Sequence, residues 1–422
     1  MAAVDNIKAL RDIVGNEHVS QTSADRESHS HDESDHEPKL PDAIVYPDTT
    51  AQVSEVLALA NEHLIPVVGW GAGTSVEGHT IPIHGGIVVD FRRMNRILAV
   101  HPEDFQAEVQ PGVLRLDLED QLSKQYGLFF PPDPGANASI GGMLANNAAG
   151  VRALRYGSAA ANVLGLEVVL ADGTVIKTGS RSIKQSAGYN LTQLFVGSEG
   201  TLGLITAATL KLAPIPEHFA TATIAFPDVT SAAHTVHAVM GMGLEPAALE
   251  LLHADHIQWM NEEADAGFTV APSLMVEFTG ASASVVAEAM ATTRHLAETN
   301  GSTGFSGTSG LSARNAMWRL RHGTRERSHR RFPGHKWISM DASVPISKLP
   351  ELISYCEEKC RERGQESRVI GHAGDGNIHL GLHYDPADAR AAKAAVATGH
   401  DLITKAIELG GTCSGEHGIG LG

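Results

Sequence analysis

Positive charge is scarce in this 422-residue chain: 32 Lys and Arg are set against 49 Asp and Glu, a formal net charge of −17. A nucleic-acid surface needs clustered Lys and Arg to displace counterions, so that class of partner is excluded. Cysteine is nearly missing too. Cys356, Cys360 and Cys413 cannot build a disulfide framework and imply a reducing compartment. Cys356 and Cys360, one helical turn apart, read as plain helix packing. No apolar run is long enough to cross a bilayer, so no transmembrane segment is expected. The N-terminus, with Asp5, Asp12 and Glu17 among few apolar residues, is unlike a signal or transit peptide. A cytoplasmic protein is the expectation. What remains, 42% hydrophobic and 19% charged, suits a globular enzyme of two large lobes.

The most chemically loaded stretch is Gly371–His379, Gly-His-Ala-Gly-Asp-Gly-Asn-Ile-His, answered near the C-terminus by Ser414-Gly415-Glu416-His417. His372 and His379 are seven apart, an odd spacing that a regular strand would place on opposite faces. A glycine-rich tip at Gly374–Asn377 can fold them back toward one point, with Ile378, Leu380 and Leu382 anchoring a strand behind it. Two imidazoles and the Glu416 carboxylate make a three-ligand metal set with coordination positions left open, which zinc, manganese or ferrous iron would accept. His417 then stands beside the metal as a proton acceptor.

Ahead of that cluster the chain reads as follows. Ile7, Leu10 and Val14 give a helical pattern, and Thr22–Lys39 is so polar that an irregular, solvated segment is expected there, its His29, His31 and His36 included. A strand over Ala43–Pro47, a helix over Thr50–His63 and a strand over Pro66–Gly69 lead into Gly69-Trp70-Gly71-Ala72-Gly73-Thr74-Ser75. That loop exposes successive backbone N–H groups and suits a diphosphate. It is not a Rossmann turn, despite Asp90 about 20 residues on: the spacing is wrong and Pro82, Gly85 and Gly86 forbid a following helix. Pro131–Gly135 and the small-residue run Ser139–Gly150 let backbone approach a flat ligand. A hairpin turns at Asp172-Gly173, and Leu194–Thr206 reads as a glycine-punctuated strand. Pro214-Ile215-Pro216 marks a boundary, after which alternating strands and helices form a second α+β lobe. Ala313–Arg331 reads as one basic helix, mostly a solvated face. Within it Arg321, and beyond it Lys336, would clamp a carboxylate substrate.

Taken together, these motifs resemble the FAD-dependent D-2-hydroxyacid dehydrogenases of the vanillyl-alcohol-oxidase-type flavoprotein superfamily, from about Asp42 to Gly422. The likeness implies an α+β architecture: an N-terminal helix and acidic loop (1–40), a two-subdomain FAD-binding domain (41–214), and a substrate or cap domain with an antiparallel sheet and the metal site (215–422). It implies non-covalent FAD contacted by Gly71, Ala72, Gly73, Thr74, Ser75, Pro132, Asp133, Ser139, Gly141, Gly142, Asn146, Gly150, Tyr156, Glu199, Gly200 and Ile205. By the same likeness His372, His379 and Glu416 bind a divalent metal, His417 is the base, and Trp318–Pro345, with Arg321, Lys336 and Asp341, meets the substrate carboxylate. The implied reaction oxidises a small D-2-hydroxyacid, D-lactate or glycolate, to the 2-oxoacid. Electrons pass to a quinone, cytochrome or electron-transfer flavoprotein, from a homodimer or a glycolate-oxidase-like complex peripheral to the inner membrane. Gly381 stands where the D-2-hydroxyglutarate branch carries Asn, which disfavours a long dicarboxylate, and Arg325-Glu326 replaces residues usually aromatic in lactate-type members. Family members continue beyond the position of Gly422, so a truncated product with weakened flavin retention is expected. Three other classes compete. A metal hydrolase leaves the glycine-rich half unexplained, an oxygen-using sugar oxidase needs no metal triad, and a non-catalytic flavin subunit needs no His417.

Overall fold

Short runs of Val and Ile that are buried on both faces favour parallel pairing, and one such group organises the first of two units. The computed structural model describes residues 4–422. The first unit comprises the chain up to Gly150 with Gly157–Ile215 and Glu416–Gly422, and the second comprises Val151–Tyr156 and Pro216–Gly415. In the first, Ala43–Val45 and Val67–Trp70 flank Ile87–Asp90 in parallel, with Val19–Ser20 added antiparallel at the edge. Helix Thr50–Glu62, capped by the Thr49 side chain, buries Val53, Val56, Leu57 and Ala60 at helical spacing. A second, antiparallel sheet follows the order Ile97–His101, Gln106–Val109, Leu204–Lys211, Val163–Val169, Val175–Gly179.

Two local expectations for this unit are corrected. Leu194–Thr206 is not one strand: Leu191–Phe195 is a helix capped by Asn190, and the strand begins only at Leu204. Gly197, Gly200 and Gly203 all adopt positive φ, which a strand cannot continue through. Nor is the acidic segment all loop. Ser23–Ser28 is a helix capped by Thr22, and His29 is buried with Nε2 2.9 Å from Asp90 Oδ2. Composition reads that stretch as solvated because a single buried histidine–carboxylate hydrogen bond carries no apolar signal. The same pair, with Arg92 on Asp90, gives the strand-end acid a structural role.

In the second unit a seven-stranded antiparallel sheet runs Gly304–Ser309, His218–Ala225, Ser273–Gly280, Ala248–Leu252, Val369–Gly371, Asn377–Tyr384, Lys336–Ser343. Strand alternation decides what each face carries. Leu249, Leu251, Met340, Ala342, Ile378, Leu380 and Leu382 share one core with Val236, Ile353, Cys356, Cys360 and Leu402 from the helices. Their neighbours Glu250, Asp341, His379, Gly381 and His383 are thereby turned to the other face. The expected single basic helix is two, Leu311–His322 and Thr324–Arg331, interrupted at Gly323.

His256, on helix Ala254–Ala264, is buried edge-on against Trp259, and its Nδ1 has no hydrogen-bond partner among the described residues. Burial, helped by the positive charges of His253 and Arg321, pushes this imidazole down to about 3. The unfolded chain then binds the proton first, so the neutral ring's stability is complete above pH 6.5 and erodes as pH falls toward 3. Urea denaturation is expected to show a loss of about 2 kcal/mol between pH 6.5 and pH 5, a slope that His256→Leu flattens.

Candidate metal and flavin sites

The turn expected at Gly374–Asn377 is built by register. Val369–Gly371 pairs antiparallel with Asn377–Tyr384, Ile370 opposite His379, and a 3-10 turn over Ala373–Asp375 closes the connection. Gly376 completes it at φ 73°, with the space of a Cβ taken by the Val344 carbonyl oxygen 2.1 Å away. This brings the His372 and His379 rings to 5.2 Å between centroids, edge to face at 85°, both buried.

Each imidazole is backed by a carboxylate on its Nδ1 side. His372 Nδ1 lies 2.7 Å from Glu250 Oε1, and the other Glu250 oxygen takes Arg321 Nη2 at 2.6 Å and Nε at 2.9 Å. Burial alone would raise the Glu250 carboxyl, but His372 and Arg321 outweigh it and hold it below its ordinary value. His379 Nδ1 is 3.3 Å from Asp341 Oδ1. Asp341 in turn accepts from Asn377 Nδ2 at 2.7 Å and Ser414 Oγ at 2.8 Å. His372, with its Nδ1 hydrogen-bonded to the Glu250 carboxylate, presents its Nε2 lone pair, the orientation metal-ligating histidines use, while His379 has the Asp341 carboxylate near its Nδ1 without a hydrogen bond between them. The donor set therefore suits a divalent ion. Sequence reading missed Glu250; its trace was a lone carboxylate inside the apolar run Ala248-Leu249-Glu250-Leu251-Leu252, which strand packing cannot justify.

The cationic pair fares differently. Arg321 is buried on Glu250, beside His372. Lys336 is opposite Tyr384, five residues along the strand from Asp341, or about 17 Å. Its parity is that of Ile338, Met340 and Ala342, which pack toward the helices. The structure does not bring Lys336 to the imidazoles, and the expected two-residue clamp is corrected accordingly. Spacing along the chain could not show this, because the strand's register was unknown.

Within the first unit the glycine-rich motifs converge. A Cβ on Gly71 would sit 2.0 Å from Ser139 Oγ, so the Gly71–Ser75 loop lies directly on the start of helix Ile140–Ala145, where Ser139 accepts from Gly142 N–H. Gly141 rests on Pro111. Pro132-Asp133 meets the Asn146–Gly150 run through the Asp133–Gly150 bridge, where a Cβ on Gly150 would be 1.7 Å from the Asp133 carbonyl oxygen. Glu199, at φ 53°, donates its N–H to the Ala145 carbonyl, while its carboxylate accepts from Ile419 and Gly420 N–H at 2.8 and 2.9 Å. Gly200 has positive φ and open space where a Cβ would be, and Ile205 is buried in the sheet. Ser75 Oγ is 2.6 Å from His79 Nδ1. Such a ring of bare backbone leaves a flat ligand room for close approach, which fits a flavin dinucleotide. Ala72, Gly73 and Thr74 lie on the same loop, whereas Tyr156 belongs to the second unit, with Arg155 over its ring.

The C-terminal pair is also anchored in the first unit. Glu416 Oε2 accepts from Gly150 N–H at 2.6 Å, the His417 carbonyl accepts from Asn146 Nδ2, and His417 Nδ1 is 3.2 Å from Glu77 Oε1. Glu77 left no trace in the sequence, since one exposed-looking acid among polar neighbours is ordinary. In the second unit, Gly415 lies against Asn377, where a Cβ would come within 2.2 Å of the side-chain amide.

Comparison with known proteins agrees with both halves. A family model for an FAD binding domain matches residues 41–179, and one for the C-terminal domain of FAD linked oxidases matches residues 215–422. A probable mitochondrial D-lactate dehydrogenase of Danio rerio is 39% identical, covering 100% of this chain and 85% of its own length. Glycolate oxidase subunit GlcD of Bacillus subtilis is 34% identical, covering 100% of this chain and 89% of its own. Among solved structures, p-cresol methylhydroxylase with substrate bound superposes with a TM-score of 0.82 at 18% identity, covering 98% of this chain and 89% of that one. An alkyldihydroxyacetonephosphate synthase gives 0.79 at 19% identity over 98% and 82%. These two share the fold alone. Among the described residues no helix is long and apolar enough to cross a membrane. The chain belongs to the FAD-dependent oxidoreductase family of D-2-hydroxyacid dehydrogenases, with D-lactate dehydrogenases and the glycolate oxidase flavin subunit among its relatives.

Proposed function

We propose that this chain oxidises a small D-2-hydroxyacid, D-lactate or glycolate, to the 2-oxoacid with the help of a divalent ion held by His372, His379 and Glu416. The observation that carries this reading is the pair of buried imidazoles, each with a carboxylate behind its Nδ1. Bound FAD supplies a hydride acceptor, and a bound divalent ion lowers the pKa of a coordinated hydroxyl. His417 takes the hydroxyl proton on Nε2, and Glu77 keeps the ring in that tautomer by accepting from Nδ1. Glu416, an anionic ligand, is a poor base, so the adjacent Glu and His divide the two tasks. Arg321, braced by Glu250, offers the substrate carboxylate its charge and fixes which face of Cα is presented. Electrons leave to a quinone- or cytochrome-type acceptor, a part of the reading supported by a relative named mitochondrial D-lactate dehydrogenase (cytochrome), from Arabidopsis thaliana.

The test is anaerobic. D-lactate or glycolate is expected to bleach the flavin absorbance, L-lactate and D-2-hydroxyglutarate to leave it unchanged, and bleaching by none of them would end the proposal. A second expectation concerns the brace. Glu250→Gln is expected to weaken divalent-ion binding by about 10- to 100-fold, read by competition with a chromogenic chelator.

A further inference from the structure

The sheet face that carries His379 also carries the partners Ser339 and Gly381 and then Trp337 and His383, one cross-strand pair after another. Gly381 lies two residues along the strand from His379, about 7 Å away, and contributes no side chain of its own. That gap does not stay open. A Cβ on Gly381 would sit 2.8 Å from the Trp337 indole nitrogen and 2.9 Å from two of its ring carbons, so the indole leans over the glycine toward the imidazole end. The indole is held there on several sides. His329 packs on it at 4.6 Å and His383 at 5.0 Å between centroids, and the Arg325 guanidinium lies 5.7 Å over its ring. His383 is itself stacked on Phe332 at 4.4 Å. Moving Trp337 therefore means disturbing a packed group of five side chains.

We infer that Trp337, seated over Gly381, is the wall that limits the length of the substrate side chain. The inference rests on the hydroxyacid reading above. An acid bound through its hydroxyl and carboxylate beside His372 and His379 must project the rest of its carbon chain from Cα. On the face shared with His379, the first place without a side chain is Gly381, and the indole edge closes it. A hydrogen or methyl at Cα needs nothing there; a propyl group meets the ring. Trp337 is a specificity-determining residue in this account, and Gly381 is its seat. At this position the chain has an aromatic ring seated on a bare backbone.

The test uses the FAD- and metal-loaded chain with glycolate and the D-isomers of lactate, 2-hydroxybutyrate and 2-hydroxyvalerate. In the wild-type protein kcat/KM is expected to fall by about tenfold or more for each carbon beyond lactate. Trp337→Ala is expected to raise the ratio of 2-hydroxyvalerate to glycolate by about 10- to 200-fold, with Trp337→Phe between the two. Dissociation constants for oxalate and 2-oxovalerate, read from the perturbed flavin spectrum, are expected to shift in the same ratio without turnover. Gly381→Ala is expected to change tryptophan fluorescence and lower thermal stability, and the same change in a Trp337→Ala background to be tolerated. A ratio unchanged within twofold in both Trp337 variants, while glycolate is still oxidised, overturns the wall. Failure of every hydroxyacid to reduce the wild-type flavin overturns the parent reading, and the wall with it.

Discussion

Replacing His417 with alanine is expected to slow anaerobic flavin reduction by D-lactate by about 10²- to 10⁴-fold, with FAD and ion both retained. The retention matters as much as the loss. The His417 side chain is tied to Glu77 through Nδ1, while the contact to Asn146 runs through the backbone carbonyl, which alanine keeps. Removing the imidazole therefore leaves the C-terminal segment attached through Gly420 and Ile419 on Glu199. Flavin content and bound-metal content of the purified variant, measured beside the stopped-flow rate, separate loss of a base from loss of a cofactor. Glu77→Gln is expected to follow in the same direction by a smaller factor, because the ring remains and only its tautomer is released. A His417→Ala protein that reduces its flavin at the wild-type rate removes the base assignment.

The second large effect concerns the ligands. His379→Ala and His372→Ala are each expected to abolish stoichiometric metal binding and to slow flavin reduction by about 10³-fold, corresponding to several kcal/mol of transition-state stabilisation. FAD is expected to remain, since the glycine-rich contacts lie in the other unit of the chain. The two variants differ in what they leave behind. His372→Ala strips Glu250 of one partner in a buried setting and leaves it on Arg321, whereas His379→Ala leaves Asp341 still satisfied by Asn377 and Ser414. A buried carboxylate that loses one of its two partners is costly, so His372→Ala is expected to lower the melting temperature more than His379→Ala does. Metal analysis and calorimetry on the two variants check both statements. Full metal occupancy in either protein contradicts the ligand assignment.

Much of the fold was legible because burial leaves a period in the sequence. The strands with Ile44, Val68 and Val88 and the helix stripe Val53-Val56-Leu57-Ala60 declare themselves, as does the two-residue alternation of Ile378, Leu380 and Leu382. The imidazole turn was legible for a different reason: glycine at Gly374 and Gly376 marks where backbone must bend sharply. What stayed hidden were long-range partners. Glu250 lies more than 100 residues before His372, and its job depends on two strands being neighbours, which no local pattern announces. Lys336 was misplaced for the same cause, because its distance from the imidazoles follows from a register that only the paired strands define. His29 was read as solvated because its partner, Asp90, is 61 residues away.

The most direct measurement is stopped-flow flavin reduction by D-lactate on one preparation divided in three: as purified, stripped by chelator with FAD retained, and stripped then reloaded with manganese or zinc. A rate about 10³-fold lower is expected in the stripped sample, with recovery on reloading and no recovery in the His379→Ala protein. Equal rates in all three samples would contradict metal assistance.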